Sequence, residues 1–113
     1  MAVGRTEEIV FKYTAAALAS VRLTEKAPFN GTITQVLRHY PDGCDALVDV
    51  AVGFAGDQFL PRSGFVALDN VTVPTLGLNV PMTRDDLLWV DIINRDALNT
   101  HTITVTITVS EEV

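Results

Sequence analysis

The residues that could do acid–base or nucleophilic chemistry are few and poorly placed for it. His39 and His101 are the whole imidazole supply. Neither has a second histidine two residues away, so there is no H-x-H metal pair. A three-ligand zinc site would have to recruit carboxylates instead. Both histidines read as ordinary strand-end residues. Ser63 stands in Pro61-Arg62-Ser63-Gly64, a turn and not the G-x-S-x-G elbow, and a serine nucleophile also needs a base and an orienting acid. Cys44 adjoins Asp45, whose charge disfavours a thiolate. It reads as a small turn residue, and a single cysteine forms neither an intrachain disulfide nor a cysteine zinc site.

The carboxylates give no better set. Asp85-Asp86, Glu7-Glu8 and Glu111-Glu112 are adjacent pairs. Neighbours on a strand face opposite ways, so none is by itself a glycosidase dyad. Asp42, Asp45 and Asp49 could offer oxygens to calcium, but their spacing matches no EF-hand loop. Gly53-Phe54-Ala55-Gly56 is a strand end and lacks the lysine of a phosphate loop. The expectation is a chain that is not an enzyme, with no catalytic residue, cofactor or metal.

Binding features are clearer. Trp89 alternates against Leu88, Val90 and Ile92. If those three point inward, Trp89 lies on the outer face beside Asp91 as a partner-binding aromatic. The competing reading has Trp89 inward, or both faces covered. Thr102, Thr104, Thr106 and Thr108 form a ladder on one side of the C-terminal strand. The ladder is a solvent face of high β propensity, an oligomer or partner surface, or, much less simply, an ice-binding row, which needs the pattern on several strands. Trp89, Asp91 and these four threonines are the candidate interface.

These residues need strands to position them. His101–Ser110 alternates strictly, with Ile103, Val105, Ile107 and Val109 on the core side. Glu8–Thr14, Gly31–Tyr40, Ala46–Phe54 and Leu87–Asn94 follow the same rule, and shorter strands are expected at Gln58–Leu60, Phe65–Leu68, Val71–Val73 and Leu76–Val80. Pro41-Asp42-Gly43, Ala55-Gly56-Asp57, Pro61–Gly64 and Asp69-Asn70 are the breaks between them, and Arg95–Thr100 is the last loop. Thr14–Leu23 is alanine-rich and helical on propensity, yet Val21 and the strand-rich context predict a strand at Leu18–Leu23. Turn signals this frequent are the signature of a sandwich or barrel. The reading is one all-β domain over residues 1–113, an antiparallel β-sandwich of jelly-roll type with about eight short strands.

Composition bounds the partners. The 113 residues carry 48% hydrophobic and 19% charged side chains, with a net charge of −6. Average domains carry about 25% charged residues, so part of the apolar excess is expected to face another chain. Eight basic residues scattered among fourteen acids argue against nucleic acid and against anionic membranes. Met1–Glu8 is polar and unlike a signal peptide. Cytoplasmic synthesis is therefore expected.

Pro81-Met82-Thr83-Arg84-Asp85-Asp86 leading into Leu87–Ile92, followed by a polar loop and the His101 strand, has a recognisable order. It resembles the last two strands of jelly-roll modules in phage decoration proteins, virion fibre tips and some carbohydrate-binding modules. The resemblance covers about the last third of the chain and carries over no functional residue. It implies a self-assembling virion decoration or fibre-type protein, a homo-oligomer with three-fold symmetry that joins an assembly such as a capsid. A carbohydrate-binding module of jelly-roll type is the alternative. It would need a groove of exposed aromatics, and the chain has one Trp and two Tyr.

Overall fold

The alternation at the C-terminus sets the architecture. The computed structural model describes residues 4–112, so Met1–Val3, part of the polar start, and Val113 lie outside it. Nine strands follow one another: β1 (Thr6–Ala15), β2 (Ser20–Lys26), β3 (Gly31–Tyr40), β4 (Val48–Phe54), β5 (Asp57–Leu60), β6 (Val71–Thr75), β7 (Val80–Met82), β8 (Leu87–Asn94) and β9 (His101–Glu111). All pairings are antiparallel. One sheet runs β1-β9-β3-β6, with β7 also on β3; the other runs β2-β8-β4-β5.

The longest and most regular strand, β9, is central to its sheet and is paired along both edges. Ile103, Val105, Ile107 and Val109 are fully buried, as their period of two demands. From the facing sheet come Val48, Val50 and Val52 of β4 and Leu88, Val90 and Ile92 of β8, also fully buried. β1 closes the core with Phe11, and β3 with Ile33, Val36 and Tyr40. The step from Ile33 to Val36 is one of three residues because β3 bulges between Ile33 and Gln35. That bulge keeps both residues inward across a parity change.

Several sequence expectations are corrected. The strand expected in the alanine-rich segment forms, but its start moves. It begins at Ser20 and not at Leu18, because Leu18 takes a left-handed φ of 61° in the turn and donates its N–H to the Asp96 carbonyl at 3.1 Å. β4 begins at Val48 because Asp45 and Ala46 both have positive φ. Phe65–Leu68 is not a strand. Only Val66 pairs, in an isolated bridge to Val50. Leu76–Asn79 is a loop turned by Gly77 at φ 69°, and pairing resumes at Val80 on β3.

Candidate interaction surface

The threonine ladder occupies the centre of the first sheet's outer face. Across the register, Thr104 stands between Lys12 and His39, Thr106 between Val10 and Leu37, and Thr108 between Glu8 and Gln35. Each of these threonines is half-buried by its neighbours. The Thr102 and Thr14 hydroxyls meet at 2.8 Å, and His39 Nδ1 meets the Thr72 hydroxyl at the same distance. Along this part of the face the ionisable groups are Glu8, Lys12 and His39, all near its margins. A broad surface of hydroxyls and aliphatic groups suits packing against another protein far better than gripping a charged ligand.

For Trp89 the structure takes the reading in which both faces of β8 are covered. Trp89 does lie on the opposite side of β8 from Leu88, Val90 and Ile92, as the alternation requires, yet it is only 5% exposed. The indole lies flat over Gly53 of β4, its cross-strand partner. A Cβ on Gly53 would fall inside the ring, overlapping Cζ2 and Cε2 and standing 2.6 Å from Cη2. Above the ring the Arg22 guanidinium stacks 3.9 Å from the centroid. Two bonds to Asp91, 2.6 and 2.8 Å, hold that guanidinium in place. Trp89 Nε1 donates to the Ala55 carbonyl at 2.9 Å, in a hairpin where Ala55 itself takes φ 52°. Glycine below and arginine above therefore cover the aromatic, so it is not an open platform. Asp91 serves the same clamp.

The structure also assembles a polar knot that sequence reasoning missed. Asp96 and His101 are buried and meet at 2.8 Å through Oδ2 and Nε2. Asp96 Oδ1 accepts the N–H groups of Leu98 and Asn99. The His101 bond, then these N–H groups, hold the Asp96 carboxyl down at about 2. Next to it, Asn94 donates from Nδ2 to the carbonyls of Ala15, Ala16 and Asn99 and accepts the Asp96 N–H at Oδ1. The available signal was the spacing Asn94, Asp96, Asn99, His101 in one polar loop, because Asx side chains satisfy backbone locally.

Cys44 lies fully buried beside this knot. Cysteine, histidine and aspartate are the residue types of a thiol protease, but the electrostatics run the other way. Burial first, then the charges of Asp69, Asp45 and Asp96, push the thiol up from its ordinary value. A nucleophilic cysteine requires the reverse. Of the calcium candidates, Asp49 pairs with Arg95 at 3.0 Å. Among the described residues no three His, Cys, Asp or Glu side chains gather in a way that could hold a metal. No helix among them is long and apolar enough to cross a membrane.

Neither a protein-family model nor a curated protein matches the sequence. Solved structures do match the fold. A chain of the cyanophage Pam1 capsid asymmetric unit superposes with a TM-score of 0.62 at 17% identity, over 96% of this chain and 85% of that one. A crystal structure of FLHE aligns with a TM-score of 0.47 at 16% identity, over 96% of this chain and 98% of that one. At this level of identity the capsid chain shares an architecture with this one.

Proposed function

We propose that this chain is a non-enzymatic structural module of a virion, a self-associating decoration or fibre-type protein that docks on a protein shell. The observation that carries the reading is the likeness to a capsid chain along nearly the whole length of this one. The strand order supports the jelly-roll form of the sandwich. The first strand pairs with the last, and successive strands pass between two sheets ordered β1-β9-β3-β6 and β2-β8-β4-β5, except at the β4–β5 hairpin and the β6–β7 step. The outer face built on Thr102, Thr104, Thr106 and Thr108 is the docking surface in this proposal. It is broad, poor in charge and rigid, because β9 beneath it is paired on both sides. The covered Trp89 and the buried Tyr40 leave few aromatics for a sugar groove, which favours the virion reading over the carbohydrate one.

The test is quantitative mass spectrometry of gradient-purified particles from the source that encodes the chain. A fixed copy ratio to the shell protein, lost when Thr104→Arg and Thr106→Arg are introduced together, supports the proposal. Washed particles that lack the chain refute it.

A further inference from the structure

The first sheet ends on one side in an edge strand with unusual properties. β1 pairs only with β9 and is ten residues long. Three of the other edges are short or interrupted: β5 has four residues, β6 carries Pro74, and β7 has three residues and carries Pro81; β2, with seven residues and no proline, is shorter than β1 but uninterrupted. Proline and brevity are the usual protections of a sheet edge. β1 has neither.

Its free backbone groups can be assigned. The Glu111 N–H donates to the Arg5 carbonyl at 2.7 Å, in the same register that pairs Thr6 with Ser110. Antiparallel ladder bonds fall on alternate residues. Odd-numbered residues of β1 therefore bond to β9, and Thr6, Glu8, Val10, Lys12 and Thr14 aim their N–H and C=O groups outward. These five residues are all exposed. At their centre is Val10, a large aliphatic side chain that is 59% exposed.

We propose that the β1 strands of two copies of this chain pair antiparallel about a two-fold axis at Val10, joining their sheets into one. In that register Val10 faces Val10 of the second copy, and each Glu8 faces the other copy's Lys12. Two opposite-charge pairs thus flank an aliphatic one, and the outermost facing pair is Thr6 with Thr14. Centring the axis on Glu8 or on Lys12 would instead oppose like charges, so the same residues select one register. Lys12, which would otherwise guard the edge, has a partner only there. Within the chain neither Glu8 nor Lys12 forms an ion pair among the described residues. The β2 edge offers no such match. The Asn94 N–H to Ala19 carbonyl bond sets its parity, leaving Arg22 and Lys26, both positive, as its outward charges. The pairing is isologous and closes at two. It uses a different surface from the threonine face and does not rest on the virion reading.

Native mass by light scattering, followed by sedimentation equilibrium, tests it on the full chain. The wild type is expected to be a dimer. Glu8→Lys or Lys12→Glu alone places like charges at both flanking pairs and should weaken the dimer by about thirtyfold. The double variant Glu8→Lys with Lys12→Glu restores both pairs and should recover wild-type affinity. Both changes are on exposed side chains and leave the core alone. For the register, Val10→Cys places two thiols on Cα atoms about 5.5 Å apart, within disulfide reach. Mild oxidation should crosslink it and should not crosslink Glu8→Cys. A wild type that stays monomeric up to about 1 mM, a trimer, or a dimer indifferent to the single reversals overturns the proposal. So does a crosslink through Glu8→Cys alone.

Discussion

Replacing Gly53 by alanine tests the account of Trp89, because the two possible outcomes differ in sign. Gly53 has no left-handed φ and lies within β4. On an unobstructed strand, alanine would gain roughly 0.5–1 kcal/mol by restricting the unfolded chain. Here its Cβ would sit inside the indole, so the ring must lift. Lifting loses the Arg22 stack, about 1 kcal/mol, and the hydrogen bond to Ala55, about 1 kcal/mol. It also re-exposes part of the ring. A third of the ~200 Å² that a buried aromatic hides costs roughly 1.5–2 kcal/mol. Set against the gain, the net loss is about 3 kcal/mol. Unfolding entropy of about 2.1 cal/mol/K per residue over 113 residues gives roughly 0.24 kcal/mol/K, so Tm should fall by about 12 °C. Circular dichroism reads the Tm. Emission from the only tryptophan reads the ring directly and should shift to the red. A Gly53→Ala protein with an equal or higher Tm and unmoved emission would refute the stacked arrangement.

Three further outcomes follow from the buried polar groups. Asn94→Ala abandons three carbonyls and one N–H at a site 1% exposed, and should cost about 3 kcal/mol in urea denaturation; a loss under about 1 kcal/mol would mean that water replaces the amide. The Asp96 carboxyl titrates at about 2, below its ordinary 3.8, so its contribution is complete above the unfolded value and is lost as pH falls from there through 2. Wild-type stability should drop across that window while Asp96→Asn, with no charge to lose, shows a flatter acid limb; parallel curves would contradict the assignment. Arg38 is 5% exposed, and its Nε and Nη1 have no hydrogen-bond partner, only Nη2 reaching Thr75 at 3.3 Å. Arg38→Met should therefore be neutral or stabilising, by about 1 kcal/mol, and a clear loss of Tm would show that the guanidinium has a partner it needs.

The chain's own pattern determined the class of fold and most of its core. Alternation in β9, β8 and β4 named the buried faces correctly, because a side-chain period of two leaves no choice once one face is core. The turn at Pro41-Asp42-Gly43 was legible from conformational preference alone, and Gly43 does take φ 97°. Boundaries were less legible where backbone conformation departed from residue type, as at Ala46 and Leu18. The bulge in β3 was not legible at all, since it left no mark in composition.

Only the tertiary structure decided what covers the functional candidates. Alternation placed Trp89 on the outer face, but exposure depends on what lies across the register. Gly53 and Arg22 are 36 and 67 positions away in the sequence and are brought to it by strand pairing. The burial of Cys44 has the same origin, since its turn is brought against the Asn94–His101 loop from about fifty positions away. The Asp96–His101 bond itself is local, five positions apart in one polar loop. The free edge of β1 is equally a product of sheet order. Its residues are an ordinary alternating strand until the topology makes it an edge and leaves Glu8, Val10 and Lys12 without a neighbour on that side.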